Sequence, residues 1–267
     1  MYAIGERING MFRAVAAAIR EHNPEPIQEL ARKQLAAGAN ALDVNVGPAA
    51  EDPVAAMEWL VRTIREVTDA PLAIDTTKPE VMARGLELAG PGAIINSSKG
   101  QQEQLDIFLP MAVEHQASVI VLTIDEAGIP RDANGRSEIA LRAVAAAMER
   151  GLELDRLMID AVILPANVAQ PTAGHVLETI RNIKLISDPP PKTMLGLSNV
   201  SQGTTQRALI NRTYLVMAIA AGLDGAILDV LDSDLMDAMI TAEVLLNRSV
   251  YCDDFLKAYR SARGGGR

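Results

Sequence analysis

Eight short aliphatic runs recur along this sequence, each separated from the next by a longer stretch with helical periodicity. The runs are 2–6 (YAIGE), 41–46 (ALDVNV), 71–76 (PLAIDT), 93–97 (AIINS), 118–124 (SVIVLTI), 157–164 (LMIDAVIL), 193–198 (TMLGLS) and 225–230 (GAILDV). Each is short and rich in Val, Ile or Leu, the pattern of a strand buried on both faces of a parallel sheet. Parallel neighbours need a crossover connection, usually a helix, and the intervening stretches supply one. Residues 25–38 place Ile27, Leu30, Ala31 and Leu35 on one face and stop at Gly38, as helices often do at glycine. Pro53 and Pro79 open the stretches 53–67 and 79–89, and proline is favoured in a first helical turn. The spacing predicts further helices over 137–150, 172–187, 208–221, 233–247 and 253–262. Ser137, Ser233 and Asp234 supply start signals among them.

An unbroken series of such units predicts a single (β/α)8 barrel of the α/β class over residues 1–262, with 263–267 as a disordered tail. The length of 267 residues is close to the roughly 250 of one such barrel. An open doubly wound sheet would carry Gly-x-Gly-x-x-Gly after its first strand, whereas that turn reads Gly5-Glu6-Arg7-Ile8-Asn9-Gly10. Aromatic residues make up only 3% of the chain, so the core must be built from aliphatic side chains.

Several function classes fall away. The net charge is −9 and no Lys/Arg-rich stretch occurs, which argues against nucleic-acid binding. The single cysteine, Cys252, excludes a disulfide within the chain. There is no His-x-x-x-His or Cys-x-x-Cys, so no protein-bound metal is expected. His22, His115 and His175 fall in helical stretches as surface or helix-end residues. No apolar run reaches the roughly 18 residues of a membrane span, and no leader peptide is recognisable, so a cytoplasmic location is the expectation.

Active sites of β/α barrels lie at the C-terminal ends of the strands. Those ends carry Glu6 and Asn9, Asp43 and Asn45, Asp75, Asn96, Thr123 and Asp125, Asp160, Ser198 and Asn199, and Asp229. Any one of these could simply cap a helix or shape a turn. Together they form a set of carboxylates and carboxamides with few cations and no histidine. A phosphate site would want Lys, Arg or inward-pointing helix N-termini. Carboxylates accept from N–H pairs and carboxamides both donate and accept, which suits a flat neutral heterocycle such as a pterin.

Five segments carry a family resemblance: Gly5-Glu6-Arg7-Ile8-Asn9, Leu42-Asp43-Val44-Asn45-Val46-Gly47-Pro48, Ile74-Asp75-Thr76-Thr77, Ile95-Asn96-Ser97 and Gly196-Leu197-Ser198-Asn199-Val200-Ser201. In order and spacing they resemble the pterin-binding barrel family. Within it, the chain is most similar to the methyltetrahydrofolate:corrinoid/iron-sulfur protein methyltransferases, enzymes of one-carbon metabolism in the reductive acetyl-CoA pathway. The resemblance implies a homodimeric methyltransferase using methyltetrahydrofolate or tetrahydrofolate as substrate. It implies a corrinoid carried by a partner protein, a corrinoid/iron-sulfur protein, and not bound tightly here. It assigns the pterin grip to Asp75, Asn96 and Asp160, and a contact with N5 of the pterin to Asn199. Ser198, Gln202 and Arg207 follow as residues along the rest of the substrate, where an Arg fork suits benzoyl-glutamate carboxylates. The segments Lys99–Gln102 and Arg131–Arg136 are candidate contacts for the partner. Two other readings remain open, a condensing enzyme like dihydropteroate synthase and a non-catalytic folate-binding protein. The first usually carries a basic motif after strand seven, where this chain has Ser198-Asn199-Val200.

Overall fold

The computed structural model of the protein describes residues 1–48 and 50–264. The aliphatic runs form β1 (Tyr2–Asn9), β2 (Ala41–Asn45), β3 (Leu72–Asp75), β4 (Ile94–Lys99), β5 (Ser118–Leu122), β6 (Leu157–Asp160), β7 (Lys192–Met194) and β8 (Gly225–Leu228). Around them lie α1 (Arg13–Glu21), α2 (Pro24–Ala36), α3 (Pro53–Arg65), α4 (Pro79–Ala89), α5 (Gln102–Glu114) and α6 (Ala133–Glu149). The series continues with α7 (Ala166–Ala169), α8 (Thr172–Ile183), α9 (Arg207–Ala221), α10 (Ser233–Leu245) and α11 (Phe255–Gly264). Among the described residues no helix is long and apolar enough to cross a membrane.

All ladders are parallel and the sheet runs β7-β6-β5-β4-β3-β2-β1-β8. The remaining gap, between β7 and β8, is closed by a bridge of Gly196 to Ile227. There the Ile227 N–H donates to the Leu195 carbonyl at 2.9 Å and the Asp224 N–H to the Thr193 carbonyl at 3.2 Å. The result is the (β/α)8 barrel that the sequence predicts. Buried aliphatic side chains fill the layer between strands and helices. A smaller apolar cluster of Ile4, Ala41, Ala73, Ile94, Ile120, Met158 and Met194 plugs the lumen.

Start and stop chemistry explains where the expected boundaries hold and where they move. Asp52 accepts the Val54 and Ala55 N–H groups ahead of Pro53, so α3 starts as expected. Helix α6 starts earlier than Ser137: Asp132 accepts the Gly135 N–H, and Ser137 lies inside the helix with its hydroxyl on the Ala133 carbonyl. Asp232, rather than Ser233, caps α10. Helices α1, α5 and the short α7 stand outside the expected series. None has a side-chain cap, and α5 contains Pro110, so they lack the signals that mark a helix in sequence. The last helix reaches Gly264, taking in two residues of the expected tail, and 265–267 lie outside the described residues.

Two strands, β6 and β7, stop well before their runs end. β6 stops at Asp160 because Val162 adopts a left-handed backbone, φ 57°, which a β-branched residue rarely takes. β7 stops at Met194, and Leu197–Ser201 forms a 3-10 turn. Ser198 and Asn199 therefore sit on a turn rather than on a strand end.

The seam between β7 and β8 depends on Asp224. Its Oδ2 accepts the Thr193 N–H at 2.7 Å and the Thr193 hydroxyl at 3.0 Å, and it pairs with Lys184. Asp224→Ala is expected to lower the unfolding free energy by about 2 kcal/mol, the scale for losing a charged hydrogen-bond acceptor. Urea denaturation would show it as a lower midpoint, and an unchanged midpoint would mean the seam does not need this carboxylate.

Candidate functional site

Side chains alternate across a strand with a period of two. Moving two residues along from Ile4, Ala41, Ala73, Ile94, Met158 and Met194 in the lumenal plug reaches Glu6, Asp43, Asp75, Asn96, Asp160 and Gly196. A polar ring thus lies directly above an apolar floor at the C-terminal mouth. On β5 the same step reaches Leu122, so Thr123 and Asp125 are not part of the ring. The Asp125 carboxylate accepts the Ala127 N–H at 2.9 Å and pairs with Arg142 at 3.2 Å, closing a turn with Gly128. Asn9 likewise accepts the Met11 N–H at 2.9 Å. Asp229 accepts the Leu231 N–H at 3.1 Å and meets Arg7 at 3.3 Å, at the rim.

The ring is organised by amide donors. Asn96 Nδ2 donates to Asp43 Oδ1 at 2.8 Å in a buried contact. Asn45 Nδ2 donates to Asp75 Oδ2 at 2.6 Å, while its Oδ1 accepts the Gly47 N–H at 2.6 Å. The Asn45 amide is therefore oriented from both ends. Asp160 receives two backbone donors, the Val162 N–H on Oδ1 at 2.7 Å and the Gly196 N–H on Oδ2 at 3.1 Å.

The Asp160 contact is built from behind. Arg136 is fully buried. Its Nη1 donates to the Ala161 carbonyl at 2.7 Å and the Val162 carbonyl at 3.0 Å, and its Nε to the Pro130 carbonyl at 3.0 Å. These bonds fix the left-handed Val162 whose N–H points at Asp160. Arg136 is thus not a surface residue of the Arg131–Arg136 segment, and nothing in the loop-like run around it advertises its burial.

Burial dominates the electrostatics. It pushes Asp43 well above the usual carboxylate range, helped by the charges of Asp75 and Glu6 and opposed by the Asn96 hydrogen bond. Asp75 is raised by burial against the Asn45 hydrogen bond. Glu6 is raised by burial and the Asp229 charge, against the Ser198 hydrogen bond and the charges of Arg207 and Arg7. Asp160 is pushed up to about 6, burial outweighing the two backbone donors and the Arg136 charge.

The 3-10 turn brings the remaining predicted residues to the mouth. Asn199 is exposed. A Cβ on Gly196 would lie 3.0 Å from Asn199 Nδ2 and 3.9 Å from Asp160 Oδ2. Both groups thus border the open space beside Gly196, which a side chain there would partly fill. Ser198 Oγ donates to Glu6 Oε1 at 2.7 Å. Arg207, the first residue of α9, donates through Nε to Ser201 Oγ at 3.2 Å and through its terminal nitrogen to the Ser198 carbonyl at 3.4 Å. Gln202 is exposed, and its backbone N–H donates to the Asn199 carbonyl at 3.2 Å. Asp75, Asn96, Asp160 and Asn199 therefore share one mouth, while Ser198 and Arg207 brace the turn within it. Asp43, Glu6 and Asn45 had no assigned role in the sequence. Their lumenal parity with the small and aliphatic residues two positions earlier is the signal that finds Glu6 and Asp43.

A raised carboxyl pKa means the folded state holds a proton that the unfolded chain has released. For Asp160 this favours folding below the ordinary value near 3.8, and the contribution is lost as pH rises through about 6. Asp160→Asn should remove a decline of about 2 kcal/mol between pH 4 and 8, at roughly 1.4 kcal/mol per pH-equivalent of shift. Urea unfolding of parent and variant across that range checks it, and parallel curves would contradict the assignment.

Residues 13–229 match the family described as pterin binding enzyme. The chain is 28% identical over 267 residues to methylcorrinoid:tetrahydrofolate methyltransferase of Eubacterium limosum, covering 99% of this chain and 98% of that protein. It is 30% identical over 237 residues to methionine synthase of Mycobacterium tuberculosis, covering 84% of this chain but 20% of that longer protein. Among solved structures, it is similar to Yersinia pestis DHPS with a pterine-sulfa conjugate, with TM-score 0.68 and 16% identity over 92% of this chain and 94% of that one. It is also similar to a dihydropteroate synthase from Coxiella burnetii in complex with pteroic acid, with TM-score 0.67 and 15% identity over 93% and 94%. At such identities these two likenesses speak for the fold alone. The family match runs from the first residue of α1 to the residue after β8, and the chain belongs to the pterin-binding enzyme family.

Proposed function

We propose that this enzyme transfers a methyl group between N5 of a reduced folate and the cobalt of a corrinoid carried by a separate protein. One observation carries the reading: in a chain similar from end to end to a methylcorrinoid:tetrahydrofolate methyltransferase, the exposed amide of Asn199 and the Asp160 carboxylate both border the space beside Gly196. Asp75, Asn96 and Asp160 hold the pterin edge, whose amino and ring N–H groups match carboxylate and carboxamide acceptors. Ser198, Gln202 and Arg207 line the route to the far end of the substrate, where the Arg207 guanidinium meets carboxylates. The resemblance further implies a corrinoid/iron-sulfur protein as the partner and a homodimeric enzyme.

In one direction 5-methyltetrahydrofolate, a proton and Co(I) give tetrahydrofolate and methyl-Co(III). The relative's name runs the other way, and both directions cross the same barrier. When the N5–methyl bond breaks, its electron pair returns to N5. An amide N–H from Asn199 strengthens its hydrogen bond as that density builds. Interactions that are stronger in the transition state than in the ground state are those that accelerate a reaction. The proton reaches N5 from solvent through a network that includes Asp75 or Asp160.

Mixing the enzyme with methyltetrahydrofolate and a Co(I) corrinoid protein is expected to replace the Co(I) spectrum with that of methyl-Co(III). Loss of one preorganised donor typically costs about 2.7–4 kcal/mol, so Asn199→Ala should slow transfer about a hundredfold or more. Stopped-flow spectroscopy at saturating folate measures both. Transfer by Asn199→Ala at the parent rate would refute the role of that amide, and no methyl-cobalt from the parent enzyme would refute the reaction.

A further inference from the structure

The opening motif Gly5-Glu6-Arg7-Ile8-Asn9 contains an irregularity that the proposed chemistry leaves unused. Along the β1–β2 ladder Gly5 faces Leu42 while Ile8 faces Val44, so Glu6 and Arg7 together stand opposite Asp43. An extra residue of this kind bends a strand and re-aims its side chains. Gln34 of α2 makes it possible. It is fully buried, and its Oε1 accepts the Arg7 N–H at 2.9 Å, replacing the ladder partner. Gly5 leaves the space, since a Cβ there would lie 2.5 Å from that same Oε1.

The consequence appears across the mouth. Glu6 reaches the turn that follows β7, and Ser198 Oγ donates to its Oε1 at 2.7 Å. Ser198 immediately precedes Asn199. That turn follows a strand of 3 residues and lies beside the seam that a single bridge closes. Arg207 also restrains it, at 3.2 Å to Ser201 and 3.4 Å to the Ser198 carbonyl, and the Ser201 and Thr204 hydroxyls donate to the Ser198 and Ser201 carbonyls at 3.3 and 2.7 Å.

We infer that Glu6 is a positioning residue: through Ser198 it latches the turn that aims Asn199, and Gln34 holds the bulge that puts Glu6 within reach. This rests on the proposed role of Asn199. The hydroxyl of Ser198 donates to Glu6 and keeps its lone pairs, so the latch leaves its oxygen open toward substrate. The latch needs an acceptor at position 6 and needs neither charge nor a transferable proton. A reactive donor held loosely loses rate because it must be ordered at each turnover.

The test compares Glu6→Leu, Ser198→Ala and Glu6→Gln in the full enzyme, each alone and combined with Asn199→Ala. Glutamine keeps the acceptor and cannot deliver a proton. Glu6→Leu and Ser198→Ala are expected to lower kcat about ten- to hundredfold, and Glu6→Gln to recover most of the rate. In the Asn199→Ala background Glu6→Leu should add nothing, since coupled residues are not additive. Amide hydrogen exchange supplies a readout apart from the reaction. Residues 197–202 should exchange faster in Glu6→Leu and Ser198→Ala, and at the parent rate in Glu6→Gln. Equal losses in Glu6→Gln and Glu6→Leu, or a further loss on top of Asn199→Ala, would overturn the latch. So would unchanged exchange at 197–202. Faster exchange together with a parent-like rate for Asn199→Ala would instead uphold the latch and sink the proposed role of Asn199.

Discussion

A carboxylate taken out of water must find donors, and this barrel supplies them almost entirely as neutral N–H groups. Asp43 is met by Asn96, Asp75 by Asn45, and Asp160 by the Val162 and Gly196 amides. Neutral donors return less than a cation would, so burial prevails and the acids sit above their ordinary pKa values. The mouth is thereby kept in a state that welcomes further N–H groups. A salt bridge at each acid would have satisfied it and left nothing for a ligand.

The same arrangement selects among ligands. A ring of acceptors over an aliphatic floor offers little to a phosphate and a great deal to a flat heterocycle edged with N–H groups. The cations near the mouth stand to one side: Arg7 is engaged with Asp229 and stacked 4.6 Å over Phe12, and Arg207 braces the 3-10 turn. Among the described residues, the ring Glu6, Asp43, Asp75, Asn96 and Asp160 contains no cationic side chain.

The barrel was legible in the sequence because burial on both faces leaves an aliphatic signature in every strand. The acids were legible because strand ends are where such barrels do chemistry. What could not be read had no local signature. Arg136 lies in a run with the composition of an exposed loop, yet it is buried because three carbonyls need a planar donor at that point. Asp125 looked like the other strand-end acids, but the lumenal position on β5 belongs to Leu122, and Asp125 closes a turn. Gln34 reads as an ordinary helix residue, and only the register slip of β1 reveals its purpose. The short β7 was hidden because Leu195 and Leu197 remain buried after the ladder has ended. In each case a contact between distant segments overrode the local pattern.

The seam between β7 and β8 has a mechanical side. A closed barrel is stiff where its ladders are long, as between β4 and β5 with 5 paired positions. It yields most where pairing is shortest, and the gap between β7 and β8 is spanned by one isolated bridge where every other neighbouring pair of strands has at least 3 paired positions. The turn bearing Asn199 is mounted on this most compliant arc of the wall. A load on the mouth would be taken up first at this single bridge. The turn that bears Asn199 is therefore the part of the mouth freest to move relative to β3 and β4, which are paired on both sides and carry Asp75 and Asn96.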